Sequence, residues 1–178
     1  GLYTAGQSGQ LGIVCHPHPQ HGGSMHNNVV KAACKALRAA DHGSLRFNFR
    51  GVEGSTGAYG GGAGERDDVR AVFHLANQQL LNRRSGPSKG SAAEQSAIHL
   101  LGYSFGSWAA LRACQQGAAE GGDGIRPRSL TLIAPPLDYV SFDGVTWPDC
   151  PVHTICGQQD QFCGLAHLKQ WWQSHGEG

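Results

Sequence analysis

Apolar residues along the chain fall into short unbroken runs and longer helical stripes, and the two kinds alternate. Leu11-Gly12-Ile13-Val14-Cys15 is an uncharged run that reads as a buried strand. Val30, Ala33, Cys34 and Leu37 recur at i, i+3, i+4 and i+7, which predicts a helix with one apolar stripe. Asn27 or Asn28 is suited to cap its start, and Asp41-His42-Gly43 to end it, with Gly43 as the stop. Residues 45–49 read as the next strand. A second helix opens at Glu65-Arg66-Asp67-Asp68, acids first where the helix dipole favours them, with Val69, Val72, Phe73, Ala76 and Leu80 as its apolar face.

Residues 97–101 then read as a buried strand, followed by a helix to about Gln116 that would pack through Trp108, Leu111 and Cys114 beside Ala109, Ala110 and Ala113. A strand over 130–134 is stopped by Pro135-Pro136, and the last clear strand covers 152–157. Leu165, Leu168 and Trp172 mark a final amphipathic helix. Residues 1–10 carry no clear element, and 83–96 and 117–128 read as polar connectors. This alternation predicts an α/β domain: a three-layer sandwich whose central sheet is mostly parallel and covered on both faces. Right-handed crossovers bring the loops at the carboxyl ends of the strands to one edge.

Composition narrows the partners. The 178 residues form one domain, 1–178, with 39% hydrophobic and 15% charged residues. A net charge of +1 gives no basis for nucleic-acid or anionic-membrane binding, and no apolar run has membrane-spanning length. The chain begins at Gly1, so a leader ahead of it is left open; the expected location is cytoplasmic. The six cysteines include no CxxC pair and sit in predicted strands and helices, which favours free, mostly buried thiols over a disulfide framework.

Candidate chemistry concentrates in three loops. Gly102-Tyr103-Ser104-Phe105-Gly106 joins a predicted strand to a predicted helix. Glycine on both sides lets the chain turn sharply enough to lift the Ser104 hydroxyl above the strand end, with the Phe105 amide facing a reacting carbonyl. The loop after the first apolar strand carries His16, His18, His21 and His26. It offers a metal-site reading, which lacks a His-x3-His helix and nearby carboxylates, and an oxyanion-loop reading. Residues 51–64 are rich in glycine but lack the Gly-Lys-Ser/Thr of a nucleotide loop, so they read as a wall of the site. Asp67 and Asp68, at a helix start, have a structural and a catalytic reading, of which the structural is preferred.

Together these stretches resemble the α/β-hydrolases, and most closely their small, lidless, esterase-like members, distantly related to dienelactone hydrolases. The resemblance is carried by His16-Pro17-His18-Pro19, Gly22 through Asn27, Arg46 through Gly51 and Gly57-Ala58-Tyr59. Gly64-Glu65, Asp68, the serine motif, Ile133-Ala134-Pro135-Pro136 and Gly157-Gln158-Gln159-Asp160 complete it. It implies Ser104 as nucleophile, Asp160 as the acid of a triad, and an oxyanion hole from the Phe105 amide and one amide of the histidine loop. That second amide is assigned to His18, because Pro17 and Pro19 have no N–H.

The resemblance also implies a catalytic histidine after one more strand, in the order Ser…Asp…His. Residue 178 is reached before such a position, and neither His167 nor His175 matches it. The expectation is therefore a hydrolase fold incomplete at both ends, without its first hairpin strands, its last strand or its general base, and with the 152–156 strand as an open edge. The function expected of the complete protein is hydrolysis of a small carboxylic ester through an acyl-serine, with no cofactor and no metal. The alternative is a catalytically inactive scaffold of the same fold. The expected partner is a small-molecule substrate, not nucleic acid or a membrane, and nothing in the pattern fixes an oligomeric state.

Overall fold

Six strands form one sheet in the order β1-β3-β2-β4-β5-β6 in this computed structural model, which describes residues 1–84, 97–116 and 124–176. The strands are β1 (Leu2–Thr4), β2 (Leu11–Cys15), β3 (Gly43–Arg46), β4 (Ile98–Tyr103), β5 (Ser129–Ile133) and β6 (Val152–Ile155). All neighbouring pairs are parallel except β1 with β3, where Tyr3 lies opposite Leu45. The helices are α1 (Asn28–Ala39), α2 (Ala63–Arg84), α3 (Phe105–Cys114) and α4 (Leu165–Gly176).

The strands alternate between two cores. On one face α1 buries Val30, Ala33, Cys34 and Leu37 around Val14, with Leu101 and Ile133 packed against them. On the other, α2 and α3 cover Leu11, Ile13, Ile98, Leu100, Leu130 and Leu132. Ile13, Leu100, Leu111 and Leu132 are wholly buried, each worth about 1.5–3 kcal/mol relative to exposure. The result is a helix–sheet–helix sandwich with a mostly parallel sheet.

Some local expectations are met and others are corrected. Residues 2–4 form β1, an edge strand with exposed side chains, where no element was expected. Helix α1 is capped by the Asn27 side chain, which accepts the Val29 N–H at 2.9 Å. Its end is made by Asp41, at φ 59°, and Gly43 is instead the first residue of β3. The strand expected over 45–49 runs only to Arg46, because the Phe49 N–H is turned away from the ladder and bonded to a histidine ring. In α4 the buried residues are Leu168 and Trp171, with Leu165 exposed, since the helix packs on the Phe142 and Trp147 rings. All six cysteines are free. The connectors at 85–96 and 117–123 lie outside the described residues. Strand β6 is the outer strand at its end of the sheet, and Ile155 on it is 59% exposed.

Candidate active site

The sheet order reverses at β2, whose neighbours β3 and β4 are reached by crossovers in opposite directions, and a crevice opens at such a point beyond the carboxyl ends of the strands. The loop after β2 and the turn after β4 both enter it. At Ser104 the backbone takes φ 52° and ψ −123°, a conformation that L-residues rarely adopt. Neighbouring bonds hold it there. The Ser104 N–H donates to Ile133 O at 2.8 Å, and Ser104 O accepts the Ser107 N–H at 2.8 Å and the Ser107 hydroxyl at 2.6 Å. The flanking glycines are required by space. A β-carbon at Gly102 would strike the Gly106 carbonyl, and one at Gly106 would lie 2.5 Å from the carbonyl oxygens of Cys15 and His16. The first turn of α3 therefore rests directly on the start of the histidine loop.

That loop is fixed from below. His16 is wholly buried, and its ring accepts the Phe49 N–H at Nε2 (3.0 Å) and donates from Nδ1 to Pro17 O (2.6 Å). Burial pushes its pKa down, so it stays neutral as a structural linker. Farther along, Asn48 Oδ1 accepts the Met25 N–H at 2.7 Å and the Arg46 guanidinium donates to Met25 O at 3.0 Å. Arg50 pairs through its backbone N–H and guanidinium with Asp68, at 2.7–3.2 Å. The Arg46-Phe47-Asn48-Phe49-Arg50 segment is thus a clamp on the loop, and Asp68 has the structural role.

His18 lies above this base. Its Nδ1 accepts the Gln20 N–H at 3.2 Å, its carbonyl accepts the N–H groups of His21 and Gly23, and its ring stacks on His21 with centroids 4.4 Å apart. Burial and then His21 lower its pKa. Among the described residues neither the His18 N–H nor the Phe105 N–H has a protein acceptor. The Phe105 side chain is buried, with its ring 4.7 Å from that of His18 and 6.2 Å from that of Tyr59. Tyr59 belongs to the glycine-rich loop, which is shaped by Glu65, a residue read from sequence only as a helix-start acid and a piece of the family resemblance. Glu65 is wholly buried and accepts the N–H groups of Gly60 (2.9 Å) and Gly62 (2.8 Å).

Asp160 follows β6 and so lies at the same sheet edge as Ser104. Its N–H donates to Gly157 O (3.2 Å) and its Oδ1 accepts the Phe162 N–H (2.9 Å), forming a closed turn. The two late histidines are engaged elsewhere. His167 Nδ1 is 2.6 Å from Asp138 Oδ1, and His175 Nδ1 is bonded to Ser174 and to Trp171 O. Among the described residues no group of three or more His, Cys, Asp or Glu side chains is arranged to hold a metal ion, and no helix is long and apolar enough to cross a membrane.

A strained serine set at the switch point of a mostly parallel sheet, against the loop of the neighbouring strand, is the arrangement of an α/β-hydrolase. No family model matches the chain. Its backbone superposes on a lidless α/β serine hydrolase from Xanthomonas campestris with a TM-score of 0.75 and 33% identity, over 97% of this chain and 71% of that one. An α/β serine hydrolase homologue from Coxiella burnetii gives a TM-score of 0.78 and 30% identity, over 97% and 74%. An uncharacterized protein of Rickettsia prowazekii is 32% identical over 153 residues, 84% of this chain and 56% of the relative. The chain thus spans little more than half the length of that curated relative. It belongs to the α/β-hydrolase superfamily.

Proposed function

We propose that the whole protein hydrolyses a small carboxylic ester through an acyl-Ser104 intermediate. In this reading the Ser104 hydroxyl attacks the ester carbonyl carbon and a histidine base takes its proton. The tetrahedral oxyanion receives the Phe105 and His18 N–H groups. Collapse breaks the ester C–O bond, the leaving alcohol receives the proton, and water then releases the acid from Ser104 by the same steps. Asp160 orients the base. The described histidines at 167 and 175 are bonded elsewhere, so the base is assigned to a part of the whole protein outside residues 1–178.

The observation that carries this reading is the φ of 52° at Ser104, sustained by Ile133 and Ser107 and backed by Gly106 against His16. A turn with only a structural task needs no such strain at a serine. The likenesses are to serine hydrolases, and they do not favour the inactive-scaffold alternative. The test is labelling of the whole protein by a fluorophosphonate, together with turnover of 4-nitrophenyl acetate. Both are expected to vanish in Ser104→Ala, and labelling that survives the substitution would refute the assignment. Residues 1–178 alone are expected to turn over the ester at least about 10³-fold more slowly than the whole protein.

A further inference from the structure

Aromatic rings cross the mouth of the crevice in an unbroken series. Tyr59 meets His18 at 5.0 Å between centroids, His18 stacks on His21, His21 meets Tyr139 at 6.0 Å, and Tyr139 meets Phe162 at 5.8 Å. One end lies beside the nucleophile, where the His18 ring touches that of Phe105. The other lies beside the acid, where Asp160 Oδ1 holds the Phe162 N–H. Tyr139 and Phe162, the last two rings at that end, are exposed, at 57% and 47%.

These two rings are held in place. The Asp138 N–H donates to Phe162 O at 3.1 Å, the Gly164 N–H donates to Asp138 Oδ2 at 2.7 Å, and the Tyr139 N–H donates to Pro136 O at 3.0 Å. The backbone on both sides of the pair is therefore tied before any ligand arrives. Edge-to-face packing between Tyr139 and Phe162, with planes at 76°, leaves ring surface toward solvent. Burial lowers the His18 pKa, which favours its neutral ring at the serine end of the strip. Open apolar ring surface continuous with a reactive serine has the chemistry of a substrate wall.

We propose that Tyr139 and Phe162, continued by His21 and His18, form a subsite for a planar aromatic group of the substrate, making the protein an esterase of aryl-bearing esters. The assignment rests on the acyl-Ser104 reading. An aliphatic group of equal size would gain the apolar contact but not the ring-to-ring geometry, so the two are separable.

The test measures second-order labelling rates of the whole protein with three fluorophosphonates, carrying a naphthyl, a decahydronaphthyl or an ethyl group. The naphthyl probe is expected to react about tenfold faster than either of the others. Tyr139→Leu with Phe162→Leu, which keeps apolar volume but removes the rings, should bring the naphthyl-to-decahydronaphthyl ratio close to one. Equal rates for the naphthyl and decahydronaphthyl probes in the unsubstituted protein, or a preference that survives loss of both rings, would overturn the proposal. Failure at Ser104 is read separately. If no probe labels the protein, or labelling survives Ser104→Ala, the nucleophile assignment falls. The subsite is then judged by fluorescence titration of the Ser104→Ala protein with 2-naphthol. Saturable binding that weakens about tenfold or more in the double Leu variant supports the subsite. The absence of saturable binding, or binding indifferent to the rings, refutes it. Thermal melts of each variant exclude misfolding as the cause.

Discussion

Gly106 and His16 meet so closely that a methyl group on Gly106 would stand 2.5 Å from the His16 carbonyl oxygen. This contact joins the Ser104 turn to the histidine loop, and it sets two effects against each other. In an ordinary helix Gly→Ala stabilises by about 1 kcal/mol. Here the obstacle is main chain, which cannot rotate away, and overpacking of this kind costs about 1–3 kcal/mol. Gly106→Ala is expected to be destabilised overall, and its fluorophosphonate labelling to fall more than its melting temperature suggests. A variant as stable and as reactive as the parent would show that the contact is slack.

Asn48 acts on the site at a distance, through Met25. Asn48→Ala strands the Met25 N–H in a half-buried position and should cost about 1 kcal/mol. The larger effect is expected on labelling rate, because the His18 to Met25 loop loses its clamp. Asn48→Asp, made together with Glu53→Gln so that no two carboxylates meet where Asn48 Nδ2 now donates to Glu53 Oε2 at 2.7 Å, keeps the acceptor and should recover most of the rate. If Asp and Ala behave alike in urea melts and in labelling, the bond to Met25 is not what matters.

Legibility in the sequence followed how much of the physics is local. The serine motif was readable because its two glycines flank the serine within five residues of chain, although the space that demands Gly106 is set by Cys15 and His16. Helix α1 was readable because its stripe of Val30, Ala33, Cys34 and Leu37 is what the sheet buries. Strand β1 was not, since Leu2, Tyr3 and Thr4 are all exposed and the strand forms by main-chain pairing to β3. The alternation of Phe47, Asn48 and Phe49 imitates a strand, yet those residues serve the histidine loop, a partner some thirty positions away. Glu65 reads in sequence as an acid of the helix's first turn, and only the fold reveals that it faces inward and gathers the Gly60 and Gly62 amides. The alignment of Ser104 and Asp160 on one edge was deducible from parallel crossovers; the chain of rings between them was not.

Acid should weaken the fold, and His16 accounts for part of the effect. Burial holds its folded pKa below the ordinary value of about 6.5 that it regains on unfolding. The unfolded chain then binds the extra proton, so stability is full above about pH 6.5 and is lost as the pH falls below it. His18 and His99, also lowered by burial, act in the same direction. His16→Gln, whose amide can accept from Phe49, should reduce the slope of stability between pH 6.5 and 5 by up to about 1.4 kcal/mol per pH unit. Urea midpoints across that range check this, and an unchanged slope would remove His16 from the account.

Two aspartates compete for the role of triad acid. Asp138 already carries a histidine, with His167 and the Gly164 N–H bonded to its carboxylate and holding its pKa below the usual range. Asp160 makes one side-chain bond, to the Phe162 N–H. In the whole protein Asp160→Asn is expected to lower turnover of 4-nitrophenyl acetate by about 10⁴, as expected for loss of the group that orients the base. Asp138→Asn should lower it by less than about tenfold. The reverse ranking would move the acid to Asp138 and make His167 the base.

On the acyl-Ser104 reading, the positive-φ backbone at Ser104 makes reactivity the most fragile property of the molecule. Residues at such angles hold about 1–3 kcal/mol of strain, and they persist only while their surroundings insist on it. Any loosening near Ile133, Ser107 or the β2 loop lets the turn relax to an ordinary conformation with the sheet still intact. In rising urea the labelling rate should therefore decay before ellipticity changes, and superimposable curves would contradict this. The protein would then fail as a reagent well before it fails as a structure.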